Sequence, residues 1–360
     1  MRAIFVFILS CSVRLSASLM GAPPEQPDIE RLLTLTGSAA SQPMQSPVLG
    51  FVASSRTLVP RGHGRSGETD SNPSVTVRAI LGVPGAATFS GALTLPRGVT
   101  GAYFAPGQSF ALVEQATGGL AVLQFSGTLA GPLQPIPGSI SRPDIVSFSP
   151  NASAAAVFSA EEGRLILITG LPVAPHVSRD VSANLPAGIQ ALAIADDGVT
   201  VLASTSDGRV CLLPVDGASE TVYRGGQLSG LVFAPASTNA LVFDSDRSKV
   251  LLLQNVSTTP ATLLLSEGLP EVSGDALLQF DTSTAWVGAV GGKQLSRIDL
   301  QTLQVDTIAL SAGLAMLQPL LLPHRFLLSA QPGQAAWVLD SGAAAYNVYF
   351  VPPQLAMGLR

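Results

Sequence analysis

The sequence predicts an all-β protein, a β-propeller of four-stranded antiparallel blades, seven in number with six as the alternative. Three observations predict it. One phrase of roughly 40 to 45 residues recurs along the chain, which is the period of a propeller blade. The apolar runs inside it are short and nearly continuous, as in "LILI" at 165–168 and "VLLL" at 250–253, so both faces of each strand are covered. The reversals between runs carry Pro, Gly, Asn and Asp, which set φ near −65° or supply positive φ at little steric cost.

The repeat reads "FAPGQSFALVEQATGGLAVLQFSG" from Phe104, "FSPNASAAAVFSAEEGRLILITG" from Phe148, "IADDGVTVLASTSDGRVCLLPVDG" from Ile194 and "FAPASTNALVFDSDRSKVLLLQNV" from Phe233. It continues with "FDTSTAWVGAVGGKQLSRIDLQT" from Phe280 and "LPHRFLLSAQPGQAAWVLDSG" from Leu322. Each unit predicts a strand ending at its anchor residue, a tight turn, a second strand, a Gly- or Asp-bearing turn, a third strand, and a variable stretch able to hold a fourth. First turns fall at Pro106-Gly107, Pro150-Asn151, Asp197-Gly198 and Pro235, and second turns at Gly118-Gly119, Glu162-Gly163, Asp207-Gly208 and Gly291-Gly292. Ala154, Ala155 and Ala156 are small enough for close sheet-to-sheet packing. Glu161 and Glu162 read as solvated turn residues.

Six units span about 100 to 351, and a divergent one precedes them with strands predicted at 48–54, 77–83 and 88–95. Residues 31–37 are available as its fourth strand. The organisation expected is a signal peptide over 1–18, an N-terminal segment over 19–47, the propeller over 48–351 with an insertion at 54–74 in its first blade, and a tail over 352–360. A propeller that closes its ring brings its ends close together.

Composition narrows the setting. Hydrophobic residues make up 47% of the 360 and charged residues 12%. The apolar residues are dispersed in strand-length runs, and none reaches the roughly 18 to 20 needed to cross a bilayer as a helix. The start has Arg2, an apolar core from Ala3 to Val13, and small residues Ser16 and Ser18 suited to cleavage after Ser18. That reading makes the protein secreted, periplasmic or surface-bound; a lipid anchor at Cys11 is the weaker alternative. Cleavage would leave 17 basic against 24 acidic residues. With only two lysines, Lys249 and Lys293, the chain lacks the cationic patch that nucleic acid requires. Cys211 would then be the single thiol in an apolar strand. It reads as a buried small hydrophobe, with no disulfide framework.

The phrase "FSPN" followed by a strand and "GRLILI" resembles the "FSPDG" blades of the YVTN, TolB-like and WD40-like propeller superfamilies over about 100–340. The resemblance implies architecture and leaves activity open. The chain has no Trp-Asp dipeptide and no Gly-His opening. Its two tryptophans, Trp286 and Trp337, do not repeat per blade as in quinone-dependent dehydrogenase propellers. Likeness to lactonase-type propellers would imply sugar-lactone hydrolysis, but none of their motifs transfers residue by residue.

Propeller sites gather at a mouth of the central channel, on the approach to the innermost strands. Four residues before the anchors stand Thr100, Asp144, Gln190, Ser229, Ala276 and Gln318, with Asp275 beside the apolar member. The polar members form a candidate ring for a polar ligand, trapped water or one cation; equally, they suit the exposed strand ends of a wet channel. The histidines, His63, His176 and His324, fall at unrelated places in the repeat, and no HExxH, GxSxG or P-loop occurs. Asp244 with Asp246, and Asp196 with Asp197, are hard-oxygen candidates for calcium but lack the EF-hand spacing. Asp in a turn more often caps its own backbone. The insertion contributes Arg56, Arg61, His63 and Arg65 as a candidate loop, set against a plain polar excursion. Asn151 and Asn255 head sequons relevant only in a glycosylating host. The function expected is a non-catalytic module binding a protein, glycan or envelope component, without cofactor or metal. The alternatives are a lactonase-type enzyme and a structural envelope protein.

Overall fold

The computed structural model describes residues 46–55, 75–214, 217–269, 275–281, 283–330, 335–342 and 346–353. The expected segments 1–18 and 31–37, and Arg56, Arg61, His63 and Arg65, lie outside them. The described chain forms seven antiparallel sheets, six of four strands and the first of three. It is a seven-bladed β-propeller. The three strands of blade 1 are β1 (Val48–Ser55), β2 (Val75–Leu81) and β3 (Thr88–Ala92).

Blades 2 to 7 repeat one order, from inner strand to outer, in sequence. Their inner strands are β4 (Val99–Phe104), then Ile145–Phe148, Ile189–Ile194, Leu228–Phe233, Ala276–Asp281 and the short Gln318–Pro319. They run from the rim where each blade is entered, here the upper rim, to the rim of the first turns, the lower.

Burial explains why the strands read as unbroken apolar runs. In blade 3, Ala155 and Val157 face a cluster shared with Phe110, Leu112 and Val122 of blade 2. Their neighbours Ala154 and Ala156 face Leu192, Ile194 and Val201 of blade 4. Successive side chains point to opposite faces of a strand, and here each face meets another sheet. The same pairing recurs between blades 4 and 5, 5 and 6, 6 and 7, and 1 and 2. Leu49 and Ile80 of blade 1 join Leu320, Leu327 and Val338 of blade 7, which closes the ring. Each fully buried branched side chain contributes about 1.5 to 3 kcal/mol. Cys211 is one of these buried residues, unpaired and 1% exposed.

Blade 1 departs from the pattern in direction. The Leu321 N–H, just past the inner strand of blade 7, donates to the Leu49 carbonyl at 3.1 Å. Gln108, in the first turn of blade 2, accepts from the Phe51 N–H at 2.6 Å and donates to the Phe51 carbonyl at 3.2 Å. Both contacts lie on the lower rim, so β1 begins there and climbs. The other inner strands descend, and β1 therefore holds the second position of its blade. The Gln108 amide does for Phe51 what a neighbouring strand's peptide would. Gln108 is fully buried and has φ +47°. It fits because residue 50 is glycine, where a Cβ would collide with the Gln108 Oε1 and with Leu320.

Two buried backbone groups depend on that one side chain, and each left without a partner costs about 1 to 3 kcal/mol. Gln108→Leu should therefore destabilise the chain by about 3 kcal/mol in denaturant unfolding. Gly50→Ala should act in the same direction by forcing the clamp apart.

Candidate functional site

The candidate ring is placed by a backbone irregularity that recurs. In three inner strands the pairing register slips by one residue at the candidate position: Thr100 between Val99 and Gly101, Gln190 between Ile189 and Ala191, and Ser229 between Leu228 and Gly230. Asp144 belongs with them, since its N–H donates to the Phe158 carbonyl at 2.9 Å while Ile145 pairs with that same residue. A β-bulge sets two residues against one and re-aims a side chain. Asp275 stands at the same rim on a regular ladder, its carbonyl accepting from the Val290 N–H at 2.9 Å.

Gln318 does not belong to the ring. In blade 7 the two-on-one pairing is made by Ala315 and Met316, whose N–H groups both reach the Leu328 carbonyl, at 2.9 and 3.1 Å. Pro319 pairs with Phe326 as Phe104 pairs with Ala111, so the anchor is Pro319 and the position four before it is Ala315. Gln318 sits near the lower rim, its Nε2 donating to the Phe104 carbonyl at 3.4 Å. The apolar run Leu320–Leu322 continues past the strand end, and in the sequence it moves the apparent anchor three residues downstream.

Thr100 lines a cavity of about 1140 Å³ on the upper rim. Its walls come from Ala53 and Val75 of blade 1, Thr100–Tyr103 and Glu114–Gly118 of blade 2, and Ser141, Arg142, Glu161 and Glu162 of blade 3. Within it Tyr103 donates to the Glu114 Oε1 at 2.6 Å, and its hydroxyl also lies 3.3 Å from the Pro143 carbonyl. Burial, then the Glu114 hydrogen bond and charge, raise the phenol well above its ordinary pKa, so it remains a donor. Gly101 leaves room for this pair, since a Cβ there would lie 2.8 Å from the Glu114 carboxyl carbon and would push the carboxylate aside. Glu162 is more than a solvated turn residue: it accepts from the Ser141 N–H at 2.8 Å and pairs with Arg164 at 3.5 Å. Ser55, where the insertion departs, pairs with Val75, where the described chain resumes. The insertion therefore leaves and returns beside this cavity.

The acidic pairs weighed for calcium are engaged otherwise. Asp197 accepts from the N–H groups of Val199 and Thr200, both at 2.8 Å, and from the Thr200 hydroxyl at 2.5 Å. Asp196 ties three blades together, accepting from Asn151 N–H at 2.8 Å and Ala236 N–H at 2.7 Å. Asp244 is fully buried and accepts from the Tyr223 hydroxyl and the Gly226 N–H, at 3.2 and 3.1 Å. Asp246 accepts from the Gln227 N–H at 3.0 Å. Among the described residues no three His, Cys, Asp or Glu side chains are grouped to hold a metal.

At the lower rim, beside a cavity of about 500 Å³ lined by Gln279, Asp281, His324 and Arg325 among others, the ring assembles a cluster that sequence reasoning missed. His324 Nδ1 meets Asp281 Oδ1 at 2.6 Å, and the Ser341 hydroxyl donates to Asp281 Oδ2 at 2.5 Å. These are the residue types of a hydrolytic triad in the wrong connectivity. The serine hydroxyl is held by the carboxylate, whereas an activated nucleophile must be held by the imidazole. The cluster fastens the end of blade 6's inner strand to two turns of blade 7. No signal in the sequence would have grouped residues from three separate turns.

No protein-family model matches the chain, and neither does any curated protein sequence. Solved structures similar to it include a functionally unknown protein from Desulfotomaculum acetoxidans, at 14% identity and TM-score 0.50, covering 77% of this chain and 96% of the other. Hydrazine synthase from Kuenenia stuttgartiensis aligns at 13% identity and TM-score 0.47, over 76% of this chain and 88% of that one. A chain of a nidogen/laminin complex aligns at 12% identity and TM-score 0.46, over 64% and 90%. Identities this low speak to fold alone. Among the described residues no helix is long and apolar enough to cross a membrane.

Asp197 yields a pH test. Burial raises its pKa, but the bonds from Thr200 and Val199 outweigh burial, and the folded value lies below the ordinary 3.8. A depressed carboxylate contributes stability that is complete above the unfolded pKa and lost as pH falls through the folded one. The unfolding midpoint should drop as the pH goes below about 3.8, and Asp197→Asn should flatten that part of the curve in denaturant titrations at stepped pH.

Proposed function

We propose that the chain is a non-catalytic binding propeller, exported by its first 18 residues, which takes a protein or glycan ligand in the upper-rim cavity. One observation carries the reading: an open cavity of about 1140 Å³ lined by hydrogen-bonding groups that the fold leaves available. Arg142 and Glu161 line it without a hydrogen-bond or ion-pair partner among the described residues. Thr100, Gln115, Thr117 and Ser141 add neutral donors and acceptors along the same wall. Binding sites combine a concave surface with a few convergent polar groups in this way. The remaining ring positions, Asp144, Gln190, Ser229 and Asp275, extend the polar surface around the same rim. The lactonase-type alternative asks for three or more converging carboxylate, His or Asn side chains. Neither mouth supplies a base poised on a nucleophile or on a metal among the described residues.

The test uses the chain lacking residues 1–18, applied to arrays of envelope glycans and to immobilised envelope proteins. A ligand should be retained by the wild type and lost at least tenfold by Arg142→Ala/Glu161→Gln, with thermal stability unchanged. Retention unaffected by those two changes, or turnover of the retained ligand, would defeat the reading.

A further inference from the structure

Among the described residues six buried side-chain nitrogen or oxygen atoms make no hydrogen bond to the protein, and three of the six face one interface: Ser204 Oγ, Ser229 Oγ and Asp244 Oδ1. Ser204 and Asp244 are fully buried. A buried polar atom without a partner carries its whole desolvation cost, so three such atoms gathered in one place ask for a partner in common.

Strand alternation brings them together between blades 4 and 5. In Val201–Thr205, the second strand of blade 4, Leu202 packs with blade 5 and Ala203 with blade 3. Ser204 therefore returns to the blade 5 side. It stands in a cross-strand row with Val210 and Tyr223, and both of those pack in the cluster shared with blade 5. In Ala240–Asp244, the second strand of blade 5, Val242 faces blade 4 while Leu241 and Phe243 face blade 6. Asp244 is thus turned toward blade 4, where it accepts from the Tyr223 hydroxyl at 3.2 Å. In the inner strand Leu228–Phe233, Leu231 and Phe233 face blade 4, whereas a Cβ at Gly230 would meet Leu278 and Ala276 of blade 6. Ser229 accordingly points to blade 4, and the register slip keeps Leu228 on that side as well. Leu228 pairs with Asp244, so Ser229 and Asp244 share one height, and Tyr223 ties the Ser204 row to it.

We propose that the interface between blades 4 and 5 binds one internal water molecule, held by Ser204 Oγ, Ser229 Oγ and Asp244 Oδ1. Room for it comes from the small residue at 204. Ala191 pairs with Ser204 as Gly230 pairs with Phe243 in the next blade, and there the phenylalanine fills the equivalent space in one apolar cluster with Ala276 and Leu278. The donor set selects water over a cation. Asp244 Oδ2 already accepts from the Tyr223 hydroxyl and, at 3.1 Å, from the Gly226 N–H, with Arg247 Nη1 at 3.5 Å. Burial, then the Asp244 charge, raise the Tyr223 phenol above its ordinary pKa, so it remains a donor. The carboxylate therefore has its charge partners on one oxygen and offers a single oxygen to the interface. Calcium takes about six to eight oxygens, whereas a buried water makes about three hydrogen bonds to polar groups otherwise unsatisfied. One bond donated to Asp244, one donated to a serine and one accepted from the other serine use all three atoms.

A crystal structure of the full chain at a resolution that shows ordered solvent should place one density peak about 2.7 to 3.0 Å from each of the three oxygens. In solution, Ser204→Ala and Ser229→Ala should each lower the unfolding temperature by roughly 2 °C. The double variant should fall little further than either alone, because both serines act through one water. The unfolding temperature of the wild type should be the same in sodium, potassium and calcium salts at matched ionic strength. The proposal is overturned if no peak joins the three oxygens, or if the two serine substitutions add. It is equally overturned by a peak at about 2.4 Å from Asp244 Oδ1 together with a selective response to one cation, which would make the occupant a metal ion.

Discussion

A blade in this ring cannot stand by itself, because both of its faces are apolar and only another sheet can cover each. Ala154 and Ala156 face one neighbour while Ala155 and Val157 face the other, so removing a blade would strip two interfaces at once. The consequence is closure. The seam between blades 7 and 1, built on Leu49, Ile80, Leu320 and Val338, joins the two ends of the chain's strand order. It is also where the repeat is least regular.

That irregularity shapes the surface. Blade 1 enters the ring from the lower rim, and among the described residues its inner edge is met by the Gln108 amide and the Leu321 N–H. Above those contacts Ala53 and Val75 line a hollow on the upper rim. The hollow measures about 1140 Å³, and the groups around it come from three blades. Elsewhere carboxylates tie turns together: Asp196 bridges blades 3, 4 and 5, and Asp281 holds two turns of blade 7. These carboxylates accept from backbone N–H groups and turn side chains, and so hold the turns together.

The bulged ring positions were legible because bulges recur with the repeat, whereas of these only Thr100 lines the upper-rim cavity. Thr100, Asp144, Gln190 and Ser229 were found by counting back from an aromatic or branched anchor, and the count works wherever the strand keeps its length. It failed at Gln318 because Leu320–Leu322 prolongs an apolar run beyond the point where pairing ends, and hydropathy does not mark where a ladder stops. Glu114 and Tyr103 were not singled out, since a Tyr and a Glu at 103 and 114 in adjacent strands become a pair only through register. The Asp281, His324 and Ser341 cluster was further from reach, its members being brought together by the seam between two blades.

By itself the sequence determined the blade, its repetition and the all-β class, because strand length, two-sided burial and turn chemistry are local properties written in each unit. It also marked blade 1 as divergent and located its three strands. Only the tertiary structure decided that β1 runs against the inner strands of blades 2 to 7, that the Gln108 amide meets both backbone groups of Phe51, and that a cavity opens beside Thr100. Those outcomes depend on how the ends of the ring meet. Closure is a condition on the sum of seven blades, and no single stretch of sequence carries it.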